Sequence, residues 1–134
     1  MDNKAVAFAL TRFTLGINFM MHGLVRMPKL GKFADSIVEQ FQQTVLGFEP
    51  LLRGYAYALS FAELLLGLAL VVGFKTQYAL VGCSLVMTSL IFGSCVLENW
   101  GNVGTQMVYV AVIYLLLVGY VPNRYSLDGW LNKT

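Results

Sequence analysis

Four long stretches of the chain consist almost entirely of apolar residues, and polar segments separate them. A helix rises 1.5 Å per residue, so about 20 residues cross the roughly 30 Å of hydrocarbon in a bilayer. Backbone amides in hydrocarbon must be paired within their own segment, and each stretch is therefore expected to be a helix. The predicted spans cover residues 5–27, 50–73, 78–97 and 104–121.

Prolines mark three of the predicted helix ends. Pro28 follows the first stretch and Pro122 follows the fourth, and a residue that precedes proline disfavours the helical conformation. Pro50 opens the second stretch, at a position where a helix does not need the amide hydrogen that proline lacks. The links after the second and third stretches are short, so consecutive spans are expected to be antiparallel neighbours.

The long link between the first two spans has a helical pattern of its own. Its apolar residues recur every three or four positions, with charged and amide side chains between them. This pattern predicts an amphipathic helix that lies on the membrane surface or caps the bundle. The apolar set is Leu30, Phe33, Ile37, Phe41 and Val45.

The predicted fold is all-α. It is a transmembrane four-helix bundle with an amphipathic interfacial helix between the first and second spans, in a single domain over residues 1–134. Hydrophobic residues make up 57% of the chain and charged residues 12%, whereas soluble domains carry about 25% charged residues. The lipid bilayer is therefore the expected partner. The basic residues form no cluster that would follow phosphates, so no nucleic-acid partner is expected.

An even number of spans places both termini on the same side of the membrane. With the termini in the cytoplasm, five basic residues lie inside and four outside, which is a thin positive-inside bias. Lys75, in its short turn, and the basic tail favour this orientation. We therefore expect cytoplasmic termini and an external 28–49 segment.

The first span carries charge that needs polar neighbours. On a helical wheel its charged residues share a face with glycines, and this face should point into the bundle, because glycines allow close approach and charge avoids lipid. The residues on or beside this face are Arg12, Gly16, Phe19, His22, Gly23 and Arg26.

Glu63 is the carboxylate set deep within a predicted span, and Gly67 lies one turn further along. If the first two spans are antiparallel with level ends, Arg12 and Glu63 lie about 10 Å and 15 Å from the inner end. We therefore predict an Arg12–Glu63 ion pair in the inner half of the membrane. Two interpretations stay open: the pair fixes helix register, or it lines a polar pocket for a ligand or a proton.

A second polar group lies near the outer end. His22 is the only histidine, and together with two distant cysteines it gives no zinc site, so no metal is expected. His22 would bind a ligand head group or exchange protons. Alternatively, it would form only a structural hydrogen bond to a loop or to water. Gln106 and Tyr109 lie at a similar depth and would support the site or cap the bundle. No catalytic triad or prosthetic-group motif appears, so the catalytic residues stay unassigned and no covalently bound cofactor is expected.

Four motifs occur in order along nearly the whole chain: an arginine early in the first span, then "HGLVRMPKL", "AELLLGLALVVG" and "NRYSLDGW". Together they resemble the DoxX family of small bacterial membrane proteins. The chain departs from the family pattern at Arg26-Met27-Pro28 and at Pro122-Asn123, where a G-P-G-like turn is common. By position, the residues that match the family motif are Arg12, Gly23, Lys29, Glu63, Gly67, Tyr125, Ser126, Leu127 and Asp128.

The resemblance implies a four-helix bundle in the bacterial inner membrane and a loose link to redox chemistry. Some relatives look like subunits of thiosulfate:quinone oxidoreductase, and others associate with oxidative-stress enzymes. One hypothesis is therefore a redox-associated subunit that binds a quinone or similar lipid-soluble molecule around Arg12 and Glu63, with electrons supplied by a partner or a soluble substrate. The alternative is a non-catalytic module that anchors or assembles partner proteins. Besides the bilayer, the candidate partners are another protein or further copies of this chain in a homo-oligomer.

Overall fold

The structure, a computed structural model, describes residues 2–119 and 124–132 and is helical throughout its regular elements. These residues contain no strand, which confirms the all-α prediction. The helices are α1 (Asn3–Arg26), α2 (Leu30–Phe41), α3 (Glu49–Val72), α4 (Thr76–Val96), α5 (Trp100–Val118) and α6 (Leu127–Leu131).

Local signals in the sequence set several of the helix ends. The side chain of Asp2 accepts a hydrogen bond from Lys4 N (3.0 Å) and so caps α1. Pro50 lies in the first turn of α3 as expected, and Gly73, whose φ of 71° is left-handed, caps the C-terminal end of α3. Helix α5 begins earlier than the expected residue 104, because the side chain of Asn99 caps it.

The amphipathic link forms a shorter helix than the pattern predicts. Helix α2 follows α1 after one 3-10 turn, Met27–Lys29, and ends at Phe41, whereas the periodicity continues to Val45. The chain turns instead after Phe41, where the Thr44 hydroxyl donates to Phe41 O (2.7 Å) and accepts from Leu46 N (3.2 Å). Val45 is therefore an exposed turn residue, while the buried ring of Phe41 packs against Gly93 of α4.

Among residues 2–119 and 124–132, three helices are long and apolar enough to cross a membrane, namely α3, α4 and α5. Helix α1 has 24 residues, enough length for a span, but its composition is more polar and it is not one of these three. The predicted fourth span therefore does not follow from length and composition alone.

Helix α1 packs along α3, α3 packs on α4, and α4 packs on α5. The backbones of α1 and α5 approach each other at few points, and the row of helices leaves a groove on that side. The main core lies among these four helices, and α2 covers part of α3. The core residues are Phe8, Leu15, Phe19, Leu70, Ala79, Leu80, Cys83, Met87, Ile113 and Leu116.

Candidate functional site

Helices α1 and α3 approach so closely that backbone lies against backbone. A Cβ atom on Gly67 would lie 2.1 Å from Met20 N, and one on Gly23 would lie 2.6 Å from Ser60 O. Gly16 lies in the same contact further along α1. Because real Cβ atoms do not come this close to backbone atoms, glycines at these positions fix the register of α1 on α3.

Arg12 binds carbonyl oxygens at one end of the helix row. Its Nη1 donates to the carbonyls of Leu70 and Val71, the latter at 3.1 Å, in the last turn of α3. Its Nη2 donates to Tyr125 O at 2.9 Å. The last carbonyls of a helix have no partner within it and carry partial negative charge, so a buried guanidinium stabilises them. Arg12 thereby connects α1, α3 and the C-terminal segment.

The C-terminal motif, residues 125–128, binds at the same end. The Asp128 carboxylate accepts from Lys75 N (2.6 Å) and Thr76 N (2.8 Å), and so caps α4 from a distant part of the chain. Asp128 N donates back to Gly73 O at 2.9 Å. Helix α6 starts at Leu127. Its N-terminus is capped by the hydroxyl of Ser126, which accepts a hydrogen bond from Gly129 N. In the structure these motif residues tie the C-terminal segment to the α3–α4 turn.

The expected Arg12–Glu63 ion pair does not form. Gly23 lies against Leu64, so Glu63 is level with Gly23, eleven residues from Arg12 or about 16 Å along α1. The expectation was wrong because it placed the ends of the two helices level, whereas α1 extends well past the last turn of α3. Arg12 therefore meets Leu70 and not Glu63.

Glu63 pairs instead with Arg26, whose Nη1 donates to Glu63 Oε2. Side chains lean toward the N-terminus of their own helix, so in antiparallel helices Arg26 and Glu63 lean toward each other. The Arg26 guanidinium also lies over the ring of Phe33 in α2, 4.1 Å from its centroid. The Glu63 side chain is 5% exposed and that of Arg26 is 21% exposed. The pair is thus buried on the carboxylate side and open on the guanidinium side.

A cavity of about 250 Å³ lies beside this ion pair, between α1, α3, α4 and α5. One side of it is apolar and the other carries amides, hydroxyls and the ion pair. The lining residues are Asn18, Phe19, His22, Arg26, Glu63, Met87, Leu90, Asn102, Thr105, Gln106 and Tyr109. His22, Gln106 and Tyr109 therefore share one cavity with Glu63, while Arg12 lies outside it.

The polar groups of the cavity are only partly paired with one another. Asn18 Nδ2 donates to the Tyr109 hydroxyl at 3.0 Å, and His22 Nδ1 lies 2.7 Å from Asn18 O. Gln106 Oε1 is buried and has no hydrogen-bond partner among the described residues. Such an atom is costly to bury unless a bound molecule or water supplies a donor. The cavity is therefore suited to a small molecule that offers a hydrogen-bond donor to Gln106 and an apolar surface to the other lining residues.

Lys29, a residue of the family motif, does not line this cavity. It is exposed and borders, together with Lys32, an open groove between α1 and α2 that shares His22 and Arg26 with the cavity. Within residues 2–119 and 124–132, no three His, Cys, Asp or Glu side chains come together to hold a metal ion. Cys83 and Cys95 are free thiols.

Sequence reasoning did not identify Arg26 as the partner of Glu63, and it did not identify Asn18, Asn102 or Thr105. The signal for Arg26 was present, because the helical wheel placed it on the inward face of α1. The lean of side chains toward their own N-terminus disfavours Arg12 as the partner of Glu63, but the shift of α1 along α3 is also needed to select Arg26. Asn102 and Thr105 of α5 carry no comparable signal, since the helix that they face is set by packing.

Fold and site together define a multi-pass α-helical membrane protein with a buried ion pair beside a polar cavity. The family model described as DoxX matches residues 7–94, and the chain belongs to this family. The match contains Arg26, Glu63 and the glycines of the α1–α3 contact, and it ends before α5 and the C-terminal motif. No curated protein and no solved structure gives a significant match to the chain.

Proposed function

We propose that this DoxX protein is a four-span membrane subunit that binds the head group of a quinone beside the Arg26–Glu63 ion pair. In this proposal α1 is the fourth span and α2 lies at the membrane surface. The protein belongs to the inner membrane, and a redox partner or a soluble substrate supplies electrons to the bound quinone.

The arrangement of side chains on α1 supports its role as a span. Its 24 residues reach about 36 Å, enough to cross a bilayer. Arg12 is buried against α3, and Arg26 lies at the last residue of the helix. The opposite face is an unbroken apolar strip with helical spacing, made of Leu10, Phe13, Ile17, Met21 and Leu24, all exposed. A helix with this pattern fits lipid on one side and α3 on the other.

The lining of the cavity supports a quinone head as the occupant. A quinone ring is flat and apolar, and Phe19, Met87 and Leu90 offer it an apolar wall. Its carbonyl oxygens need donors, which Arg26 and Asn102 carry. The reduced quinol offers hydroxyl hydrogens that suit an acceptor. The cavity contains both kinds of group, so both redox forms would find partners.

The observation that carries the proposal is the buried Gln106 oxygen, which has no partner among the described residues. A quinol hydroxyl at this point would supply the missing hydrogen bond. One hydrogen bond contributes about 0.5–1.5 kcal/mol, which corresponds to about a two- to tenfold change in affinity. Gln106 is therefore the residue at which binding is tested most cleanly.

The test is saturable binding of a tail-less benzoquinol to the purified protein in nanodiscs. Gln106→Leu should weaken binding about two- to tenfold, since the side chain keeps its bulk but loses the acceptor. Gln77→Leu is the matched control, because Gln77 is an exposed residue of α4 outside the cavity, and it should leave binding unchanged. Absence of saturable binding to the wild type, together with a stoichiometric co-purifying protein, would favour the membrane-anchor alternative.

A further inference from the structure

A second, more apolar space lies next to the polar cavity. It is an open groove of about 570 Å³ along the side of the helix row where the backbones of α1 and α5 approach each other at few points. The lining residues are Leu10, Thr11, Thr14, Leu15, Asn18, Thr105, Val108, Tyr109 and Val112.

The groove and the cavity share one wall. Asn18, Thr105 and Tyr109 line both of them, and the Asn18–Tyr109 hydrogen bond crosses from α1 to α5 at this junction. Away from this junction the groove has only hydroxyls of threonines among its aliphatic side chains. A molecule that occupies both spaces therefore passes from a polar end to an apolar end at the level of Asn18.

The groove faces outward, where the bilayer lies around an apolar helix row. Leu10 and Val108, on its two sides, are each 62% exposed. From Asn18 the groove runs back along α1 to Leu10, eight residues or about 12 Å, away from the end that carries Arg26. An apolar chain lying there would extend from the cavity toward the other half of the membrane.

We infer that the α1–α5 groove holds the apolar tail of the same molecule whose head lies in the polar cavity. This inference rests on the proposed function, and it names the ligand class more narrowly as a quinone with an isoprenoid tail. An ordinary acyl chain would fill the groove but would offer nothing to the buried Gln106 oxygen in the adjoining cavity. A quinone with a tail would place its head group in the cavity and its tail in the groove.

The test compares two probes on the protein in nanodiscs: a benzoquinone with an isoprenoid tail, and the same head group without a tail. Val108→Phe fills the groove from a position that does not line the cavity. We expect this substitution to weaken binding of the tailed probe about tenfold, which is the loss from displacing about two methylene groups. Binding of the tail-less probe should change by less than about twofold. Val118→Phe is the matched control, with the same substitution on the same helix at a similarly exposed site outside the groove. It should leave the binding of both probes unchanged.

The outcomes separate this inference from the proposed function. If the wild type binds both probes and Val108→Phe weakens neither or both equally, the groove is not the tail site, and the proposed head site stands. If the wild type binds neither probe, the proposed function fails and the inference falls with it. Thr14→Phe fills the groove from the α1 side and should reproduce the selective loss of the tailed probe; failure to do so overturns the inference even if Val108→Phe folds poorly.

Discussion

The guanidinium groups of two arginines on α1 have different kinds of polar partner. Arg12 is 3% exposed and donates to carbonyl oxygens, two of which belong to the last turn of α3. Arg26 pairs with the carboxylate of Glu63 and lies over the ring of Phe33. The first arrangement fixes the C-terminal segment against the helices, and the second places paired charge beside a cavity.

Removal of one member of the Arg26–Glu63 pair should destabilise the protein strongly. Arg26→Ala strands the Glu63 carboxylate, whose side chain is 5% exposed, and breaking a buried pair in this way costs about 3–5 kcal/mol, less whatever proton uptake by the carboxylate recovers. Glu63→Ala should cost less, because the Arg26 guanidinium is open on its own side and stays partly solvated. The measurement is the free energy of unfolding of the purified protein in detergent.

Two controls make this result specific to the pair. Asp35→Ala breaks the exposed Arg53–Asp35 ion pair and should have little effect. The double variant Arg26→Ala, Glu63→Ala should be less destabilised than the sum of the two single variants, since neither charge is then stranded. If the double variant is as unstable as the sum of the two single variants, the two side chains do not interact in the folded protein.

At the scale of helices, glycines set the distance between α1 and α3. Gly67→Ala would place a Cβ atom on the backbone of Met20, so the helices must separate, at a cost of about 1–3 kcal/mol. Gly54→Ala, on the same helix with open space around it, should be neutral or stabilise by up to about 1 kcal/mol. Thermal unfolding of the two variants in the same detergent makes the comparison. Equal effects would contradict a glycine-dependent contact.

Much of the helix plan could be predicted from the sequence, because it depends on local signals. Apolar length and the positions of Pro28 and Pro50 predicted the long helices to within a few residues. The α2 C-terminus was missed because Val45 continues the apolar period after the chain has turned at Thr44. Helix α6 was not predicted, since five residues carry too little periodicity.

The site was harder to predict than the helices because it depends on how far one helix is shifted along another. Gly23 and Gly67 were recognised as small inward residues, but their contacts with α3 and α1 fix a shift that apolar length does not reveal. Relative to an arrangement with level helix ends, α1 is shifted along α3 by about three turns, and Glu63 therefore pairs with Arg26 instead of Arg12. On the α5 side, Gln106 and Tyr109 were expected at the depth of His22, whereas Asn102 and Thr105 follow from tertiary packing, for which the sequence shows no pattern.

The C-terminal segment is held at the α3–α4 turn by a carboxylate cap, and this contact can be tested. Asp128→Ala removes the acceptor for the amides of Lys75 and Thr76, and loss of such a cap costs about 0.5–2 kcal/mol. We also expect faster proteolysis near residue 124, because the segment loses one of its attachments. Asp35→Ala, at an exposed acidic residue of α2, is the control and should not change the cleavage rate.

At the scale of the whole molecule, the proposal places the Arg12 end in the cytoplasm and the Arg26 end outside. Both termini should then face the cytoplasm, and α2 should face the exterior. Cysteines introduced at Asn3 and Ser36, both exposed, report on the two sides after Cys83 and Cys95 are replaced by alanine. A membrane-impermeant thiol reagent added to intact cells should label position 36 and not position 3. The reverse labelling would contradict the orientation.

The central claim is that a quinone head lies beside the Arg26–Glu63 pair, and photolabelling tests it most directly. A tail-less benzoquinone carrying an azido group would be irradiated with the protein in nanodiscs, and the labelled residues mapped by mass spectrometry. The account predicts label on the apolar wall of the cavity, at Phe19, Met87 or Leu90, and loss of that label with excess unlabelled quinone. Label at the Arg12 end, or label that excess quinone does not displace, would contradict it.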